Sequence, residues 1–413
     1  MSRVPDGWKL CSIGDVAQKV GSGITPKGGQ DAYRASGIPL IRSQNVLWGR
    51  LELSDVVYID DAQHAKMSST IVRPNDVLLN ITGASIGRCA VVPDSVPEAN
   101  VNQHVCIIRT DEVVPEYLSN CLLSDVGQSQ VQAFQAGGNR EGLNFQQIRS
   151  FSFLFPPLPE QKKIAAILSS VDDAIAATQT VIDQTRKVKE GLLQDLLTRG
   201  IGHTRFKQTE IGEIPEGWKV LSLEDCCELV ADCKNRTPPA TESGYPVVKT
   251  TNIRNGRLNC DGLTFTDEAS YREWTQRGIP KWRDVIITRE APLGEVCMIP
   301  QGLNPCLGQR MMLFRASSRL VLPEFLYVAM LSSSSQKRLQ VLAGGSTVGH
   351  VRVGDLKGFK IPVPPKEEQE KICSAVLSVD DSIMSGMEKL GVLSGAKRGL
   401  MQDLLSGSVR VTL

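Results

Sequence analysis

Two stretches of the chain carry a hydrophobic pattern that the rest lacks. From Pro156 to Arg199, apolar positions recur at alternating spacings of three and four, with no proline after Pro159. One set is Ile164, Val171, Thr178, Thr185 and Leu192; the other is Leu168, Ile175, Ile182, Lys189 and Leu196. This is a heptad seam, and it predicts one helix about 55–60 Å long at 1.5 Å per residue. Pro159 suits the first turn, where its missing N–H costs nothing, and Glu160 suits the positive end of the helix dipole. A seam so narrow needs a partner helix. A shift of 208 residues supplies one between Pro364 and Ser406: Ile164 falls on Ile372, Leu168 on Val376, Val171 on Val379, Ile175 on Ile383, Ile182 on Leu390, Leu192 on Leu400 and Leu196 on Leu404. Lys189, out of place in an apolar seam, falls on Lys397, and Val171-Asp172-Asp173 on Val379-Asp380-Asp381.

The repetition extends through the remaining chain. Gly7-Trp8-Lys9 returns as Gly217-Trp218-Lys219, the strand-like run 38–42 as 245–249, Asp76–Leu79 as Asp284–Ile287, Gln103 and Arg109 as Gln309 and Arg315, and Pro115-Glu116 as Pro323-Glu324. A domain-sized period is a duplication, not a solenoid. Short β-rich runs punctuated by Gly, Pro and Asn alternate with one or two helix-like patches in each copy, which predicts an α+β fold. The expected organisation is a first globular domain at 1–157, a long helix at 158–199, a linker at 200–216, a second globular domain counted from 207 to 364, a second long helix at 365–406, and a tail at 407–413.

Charge changes this picture little. The net charge is +1 over 413 residues. Residues 1–157 hold 13 Lys and Arg against 15 Asp and Glu, and residues 207–365 hold 20 against 17, so neither copy is the strongly basic body of a protein that grips DNA unaided. No apolar run is long enough to span a membrane, and no signal-like segment opens the chain. Eleven scattered cysteines without a C-x-x-C favour a reducing, cytoplasmic setting. There is no phosphate-binding P-loop. Gly21-Ser22-Gly23 lacks the third glycine of a dinucleotide loop. Cys226, Cys227 and Cys233 with His203 lack the paired spacing of a zinc site, so no metal is expected. No nucleophile, base and orienter recur in both copies, so no catalytic residue is assigned. Asp172, Asp173, Asp380 and Asp381 lie off the seam and read as solvated helix face.

Two similar, diverged heads on a helical spacer suit the recognition of a split, asymmetric DNA site. The run Phe155–Ile164, Gln194-Asp195-Leu196-Leu197-Thr198, Ile211–Trp218, Gly23-Ile24-Thr25-Pro26 and the Pro-x-x-[Arg/Lys]-x-x-Asn-x-x-x-Gly pattern at 39–49 and 246–256 resemble the specificity subunit of a type I restriction-modification enzyme, in that family's order across the whole chain. The resemblance implies two α/β target-recognition domains separated by two long antiparallel helices that form a coiled coil. It also implies that each head reads half of a bipartite double-stranded DNA site through the major groove. The implied partners are two methyltransferase subunits carrying S-adenosylmethionine, and motor-nuclease subunits using ATP and magnesium. The subunit itself would be a non-catalytic reader that holds no cofactor. A stand-alone DNA-binding or architectural protein, and an enzyme with an unrecognised site, stay open as alternatives.

The chemistry of base and phosphate recognition selects the candidate contacts: Arg and Lys for guanine, Asn and Gln for adenine, hydroxyls and basic groups for phosphate. In the first head these are Thr25 and Lys27; Arg42, Gln44, Asn45 and Arg50; and Asn139, Arg140 and Asn144. In the second they are Lys234, Asn235 and Arg236; Lys249, Thr251, Asn252 and Arg254; and Ser346, Thr347, His350 and Arg352. Asn45 and Asn252 repeat, which suggests a turn more than a base contact. Lys189 and Lys397 either form a polar layer that fixes register or extend out of the seam. Ile175→Asp is expected to splay the helices. DNA binding at full strength with unchanged half-site spacing in that variant, measured by mobility shift on sites of varied spacer, would refute the seam.

Overall fold

A computed structural model describes residues 4–26, 28–135, 142–344 and 349–412. The chain divides into two compact units, Met1–Thr178 with Glu388–Leu413, and Gln179–Met387. Each unit contains one globular head and a segment of each of two long helices, α1 (Leu158–Thr198) and α2 (Lys366–Ser406), both of 41 residues.

In the first head, an antiparallel sheet places the strands in the order Lys19–Ser22, Val105–Arg109, Val77–Asn80 and Cys89–Val91. A second sheet orders Val57–Ile59, Ile38–Ile41, Ala99–Val101 and Ile71–Val72, with Ile38–Ile41 parallel to Ala99–Val101. The second head repeats the plan: Cys227–Asp232, Met311–Ala316, Val285–Arg289 and Leu293–Met298 in one sheet, and Thr264–Thr266, Tyr245–Val248 and Cys306–Leu307 in the other, where Tyr245–Val248 runs parallel to Cys306–Leu307. The continuous apolar runs of the central strands follow from burial on both faces. Along 105–108, Cys106 and Ile108 point into one core while Val105 and Ile107 point into another. In the second head, Val285 and Ile287 serve one core and Ile286 the other. The stretch read as a linker holds a hairpin, Phe206–Thr209 paired with Gly212–Pro215.

The largest of the hydrophobic clusters in each head is completed by helix ends. Ile164, Ala165 and Leu168 of α1 and Leu404 of α2 join Trp8, Val77, Tyr117 and Phe153. Leu193 and Leu197 of α1 and Ile372, Cys373 and Val376 of α2 join Trp218, Val285, Phe314 and Phe325. Within each unit the beginning of one helix therefore lies with the end of the other, so the pair is antiparallel. Ile182 and Ile383 of the seam are buried; Val171, Ile175, Val379, Leu390 and Leu400 are half-buried. At the end of α1 the seam departs from the expected positions: Leu192 and Leu196 are only half-buried, and Leu193 and Leu197 are inside. A straight helix drifts about 20° per heptad against a seven-residue repeat. Four heptads after Ile164 the lag is about 80°, close to the 100° of one residue, and in α1 the next position takes over the inner face, whereas in α2 Leu404 keeps the expected position.

The first turn of each helix is bolted to its head. Buried Glu160 accepts the Trp8 indole N–H at 3.1 Å and the Arg410 guanidinium at 2.7 and 2.9 Å. Glu368 accepts the Trp218 indole at 3.0 Å, the Ile201 amide at 2.8 Å, and lies 2.9 Å from His203. Gln161 accepts the Val114 amide and donates to Pro156, and Gln369 accepts the Leu322 amide and donates to Leu320 and Pro364. Each glutamine thus satisfies an amide beside the start of a head helix, Pro115–Leu123 or Pro323–Leu331, that would otherwise be orphaned.

The seam lysines do not form one central layer. Lys189 Nζ lies 2.6 Å from Asp380 Oδ1, and Lys397 Nζ lies 2.6 Å from Asp172 Oδ1, one pair in each unit. Asp172 and Asp380 are therefore not idle solvated carboxylates, because antiparallel packing brings each across to the lysine of the other helix. Asp381 and Asp173 remain exposed. Both members of the Lys189–Asp380 pair are 15% exposed, and Asp380 Oδ2 has no partner among the described residues. Lys189→Met should therefore cost on the order of 2–3 kcal/mol in urea unfolding by stranding a carboxylate, with most of it returned by adding Asp380→Asn. Lys397→Met, opposite the half-exposed Asp172, should cost about 1 kcal/mol or less.

Candidate nucleic-acid interface

The sheet registers gather one set of loops at a single edge of each head. In the first head, the strand ends at Ser22, Ile41, Asn80 and Val101 all open onto this edge. Gly23 N–H donates to Asn102 O, Asn102 N–H to Ile41 O, Ile81 N–H to His104 O, and Leu143 N–H to Ile81 O. Gly23 has to be glycine here, since a Cβ would meet Val101 O at 1.5 Å. The second head makes the matching contacts: Gly308 N–H to Val248 O, Arg289 N–H to Arg310 O, and Val351 N–H to Arg289 O. The three candidate loops of each head thus converge, and two loops absent from the candidate set stand between them: 81–88 and 102–104 in the first head, 289–293 and 308–310 in the second.

Within the first head, Thr25 is half-buried and its hydroxyl has no partner among the described residues. Arg42 lies 5.5 Å over the Tyr33 ring and donates to Asp55 O at 3.2 Å, while Gln44 donates to the Asp55 carboxylate at 2.6 Å. Arg50 is exposed at the turn. Asn144 caps the helix Phe145–Arg149, accepting from Gln147 N–H at 2.8 Å, and its own N–H donates to Gln147 Oε1. Asn45 is 2% exposed, and both ends of its carboxamide are engaged: Oδ1 accepts Arg42 N–H at 3.0 Å and Nδ2 donates to Glu52 O at 2.9 Å. That fixes a turn and leaves no edge for a base. Asn252 repeats the Oδ1 contact with Lys249 N–H at 2.9 Å. Lys27, Asn139, Arg140, Ser346 and Thr347 lie outside the described residues.

In the second head, Lys234 and Arg236 flank the Trp274 ring at 4.9 and 5.0 Å, and both pair with Glu273. The Lys234 hydrogen bond first, and Arg236 after it, holds the Glu273 carboxyl below the usual range. Asn235, Thr251 and Arg352 are exposed, and Lys249 is half-buried. Arg254 folds one nitrogen back onto Thr250 O and Ile253 O at 2.9 and 2.7 Å. His350 Nδ1 lies 3.3 Å from Glu290 Oε2.

The two missed loops carry a pair that recurs in position and differs in chemistry. In the first head Thr82 Oγ1 lies 2.6 Å from His104 Nδ1; in the second, Arg310 Nε lies 2.8 Å from Glu290 Oε1. The sequence signal beside them was the repeat of Gln103 as Gln309. The repeated arginines have another role. Arg109 grips Asp76 at 2.6 and 2.7 Å and Arg315 grips Asp284 at 2.9 and 2.7 Å, both partly buried, and the Asp284 hydrogen bond raises the Arg315 pKa. Among the described residues no group of three or more His, Cys, Asp or Glu could hold a metal, and no helix is long and apolar enough to cross a membrane.

Residues 5–185 and 215–390 match the family model "Type I restriction modification DNA specificity domain". The chain is 26% identical over 426 positions to the putative type I restriction enzyme MjaX specificity subunit of Methanocaldococcus jannaschii, covering 100% of this chain and 96% of that one. It is 21% identical to the type I restriction enzyme EcoKI specificity subunit of Escherichia coli, covering 91% and 82% of the two chains. In fold it is similar to the type I restriction-modification S subunit from M. genitalium, with a TM-score of 0.59 at 13% identity over 100% and 98% of the chains. A turn role for Asn45 makes a separate prediction. Asn45→Ala should lower stability by about 1–3 kcal/mol in urea unfolding, as a buried residue that satisfies two backbone groups, while Arg50→Ala should change it by less than about 0.5 kcal/mol.

Proposed function

Since the chain belongs to the type I restriction-modification DNA specificity family and is a specificity subunit of such a system, we propose that each loop cluster reads one half of an asymmetric, bipartite DNA site. The observation that carries this reading is the loop edge itself. Three of its backbone hydrogen bonds recur in both heads, and its side chains have diverged. A constant frame with variable tips suits recognition of two different short sequences, because positioning comes from the frame and discrimination from the side chains. The long helices, tied into both heads, act as the spacer and as the docking surface for two methyltransferase subunits. The chain is a reader and performs no chemistry. Methyl transfer from S-adenosylmethionine to an adenine in each half-site belongs to those partners, and ATP- and magnesium-dependent cleavage belongs to motor-nuclease subunits where they are present. The partners contribute much of the phosphate contact, which suits a chain of net charge +1. Eleven unpaired thiols fit a cytoplasmic complex.

Co-expression with a methyltransferase subunit of the same system, followed by sequencing of host DNA for methylated adenine, tests this. One split motif methylated on opposite strands in its two halves is expected, and exchange of residues 207–364 for those of another member should alter one half only. Co-purification without methylation at any motif would refute the reading function and leave a scaffold.

A further inference from the structure

The Glu290–Arg310 pair has the construction of a pre-set base reader. Arg310 sits at a left-handed backbone position, φ 72°, which a non-glycine residue adopts at a cost. Its main chain is held there by the Arg289 N–H bond to Arg310 O. Its side chain is 44% exposed at the loop edge, and its Nε is paired with Glu290, 2.8 Å from Oε1. Glu290 is itself flanked by His350. An arginine fixed at Nε offers its two terminal nitrogens as a rigid fork, and that fork matches O6 and N7 of guanine in the major groove. The first head carries His104 at the same place, with Ile81 N–H donating to His104 O as Arg289 N–H does to Arg310 O, and with Thr82 in the position of Glu290. The position is therefore a shared element of the frame, and its side chain is what differs between the heads.

We propose that Arg310 reads a guanine in the half-site of the second head, with Glu290 as its positioning residue, and that His104 with Thr82 occupies the corresponding reading position of the first head. This rests on the bipartite-recognition reading above and names the base that reading leaves open.

The test is selection from a randomised duplex library by the purified complex of the full chain with its methyltransferase subunit. The wild type should enrich a split site. His104→Ala should alter one half, and Arg310→Gln should relax a single G·C pair in the other, lowering the preference there by about 10- to 100-fold with the remaining bases unchanged. Arg310→Lys keeps the charge without the fork and should lose the same preference. Glu290→Gln should weaken discrimination at that same pair while the thermal midpoint stays put, which a merely structural role would not produce. An enriched site whose preferences survive Arg310→Gln, or a change that falls on an A·T pair, overturns the assignment and leaves bipartite recognition standing. Enrichment of no sequence by the wild-type complex would sink the recognition reading and the Arg310 assignment with it.

Discussion

Neither head closes its core with its own strands. The cluster that contains Val77, Cys106 and Ile108 needs Ile164 and Leu168 from the start of α1 and Leu404 from the end of α2; the cluster around Val285 and Phe314 needs Leu193 and Leu197 together with Ile372 and Val376. Burying those side chains is worth on the order of 1.5–3 kcal/mol each, so removing the helix ends would leave each head with a large apolar face in water. Much else follows from that one requirement. A helix that begins in one core and ends in another, paired with a second that does the reverse, is antiparallel. A helix whose first turn is buried in a head needs its polar groups satisfied there, which is why Glu160, Gln161 and Gln369 are buried, Glu368 is half-buried, and all four are hydrogen-bonded. Glu160 was expected to answer the helix dipole; its carboxylate also joins the Trp8 indole to Arg410, so one side chain ties the start of the chain, the central helix and the tail of the first unit.

The second consequence is a division of labour inside each head. The central strands are apolar on both faces, so the frame tolerates little change in volume. The loop edge is bonded mainly through backbone groups, and backbone bonds do not depend on which side chain is carried. Ile81 and Arg289 make equivalent main-chain contacts with His104 and Arg310 although the residues share no chemistry. A scaffold of this kind lets tip residues diverge after duplication without disturbing the core.

How far the chain could be understood before its coordinates depended on the range of each interaction. The duplication, the two long helices and the α+β class follow from periodicity and repeated identities, which are local patterns, and so were legible. The seam was legible as far as Ile182. Beyond it the inner face of α1 moved from Leu192 to Leu193, a drift that a heptad ruler does not show, while α2 kept the expected position at Leu404. Asp172 and Asp380 could not be paired with Lys397 and Lys189 from the sequence, because the pairing depends on antiparallel alignment of segments about 200 residues apart.

The loop edge divides in the same way. Sequence chemistry picked out the loops at 22–30, 42–50 and 249–254 by their polar tips, and the repeat of Asn45 as Asn252 already pointed to a turn. It passed over Glu290 and Arg310, which are 20 residues apart and meet only because the sheet brings two strand ends side by side. What the sequence determined by itself is what neighbouring residues enforce: which segments are helix or strand, and that one unit occurs twice. Only the tertiary structure decided which polar side chains are engaged in the frame and which stand at its edge, because that depends on contacts between residues that no local pattern links.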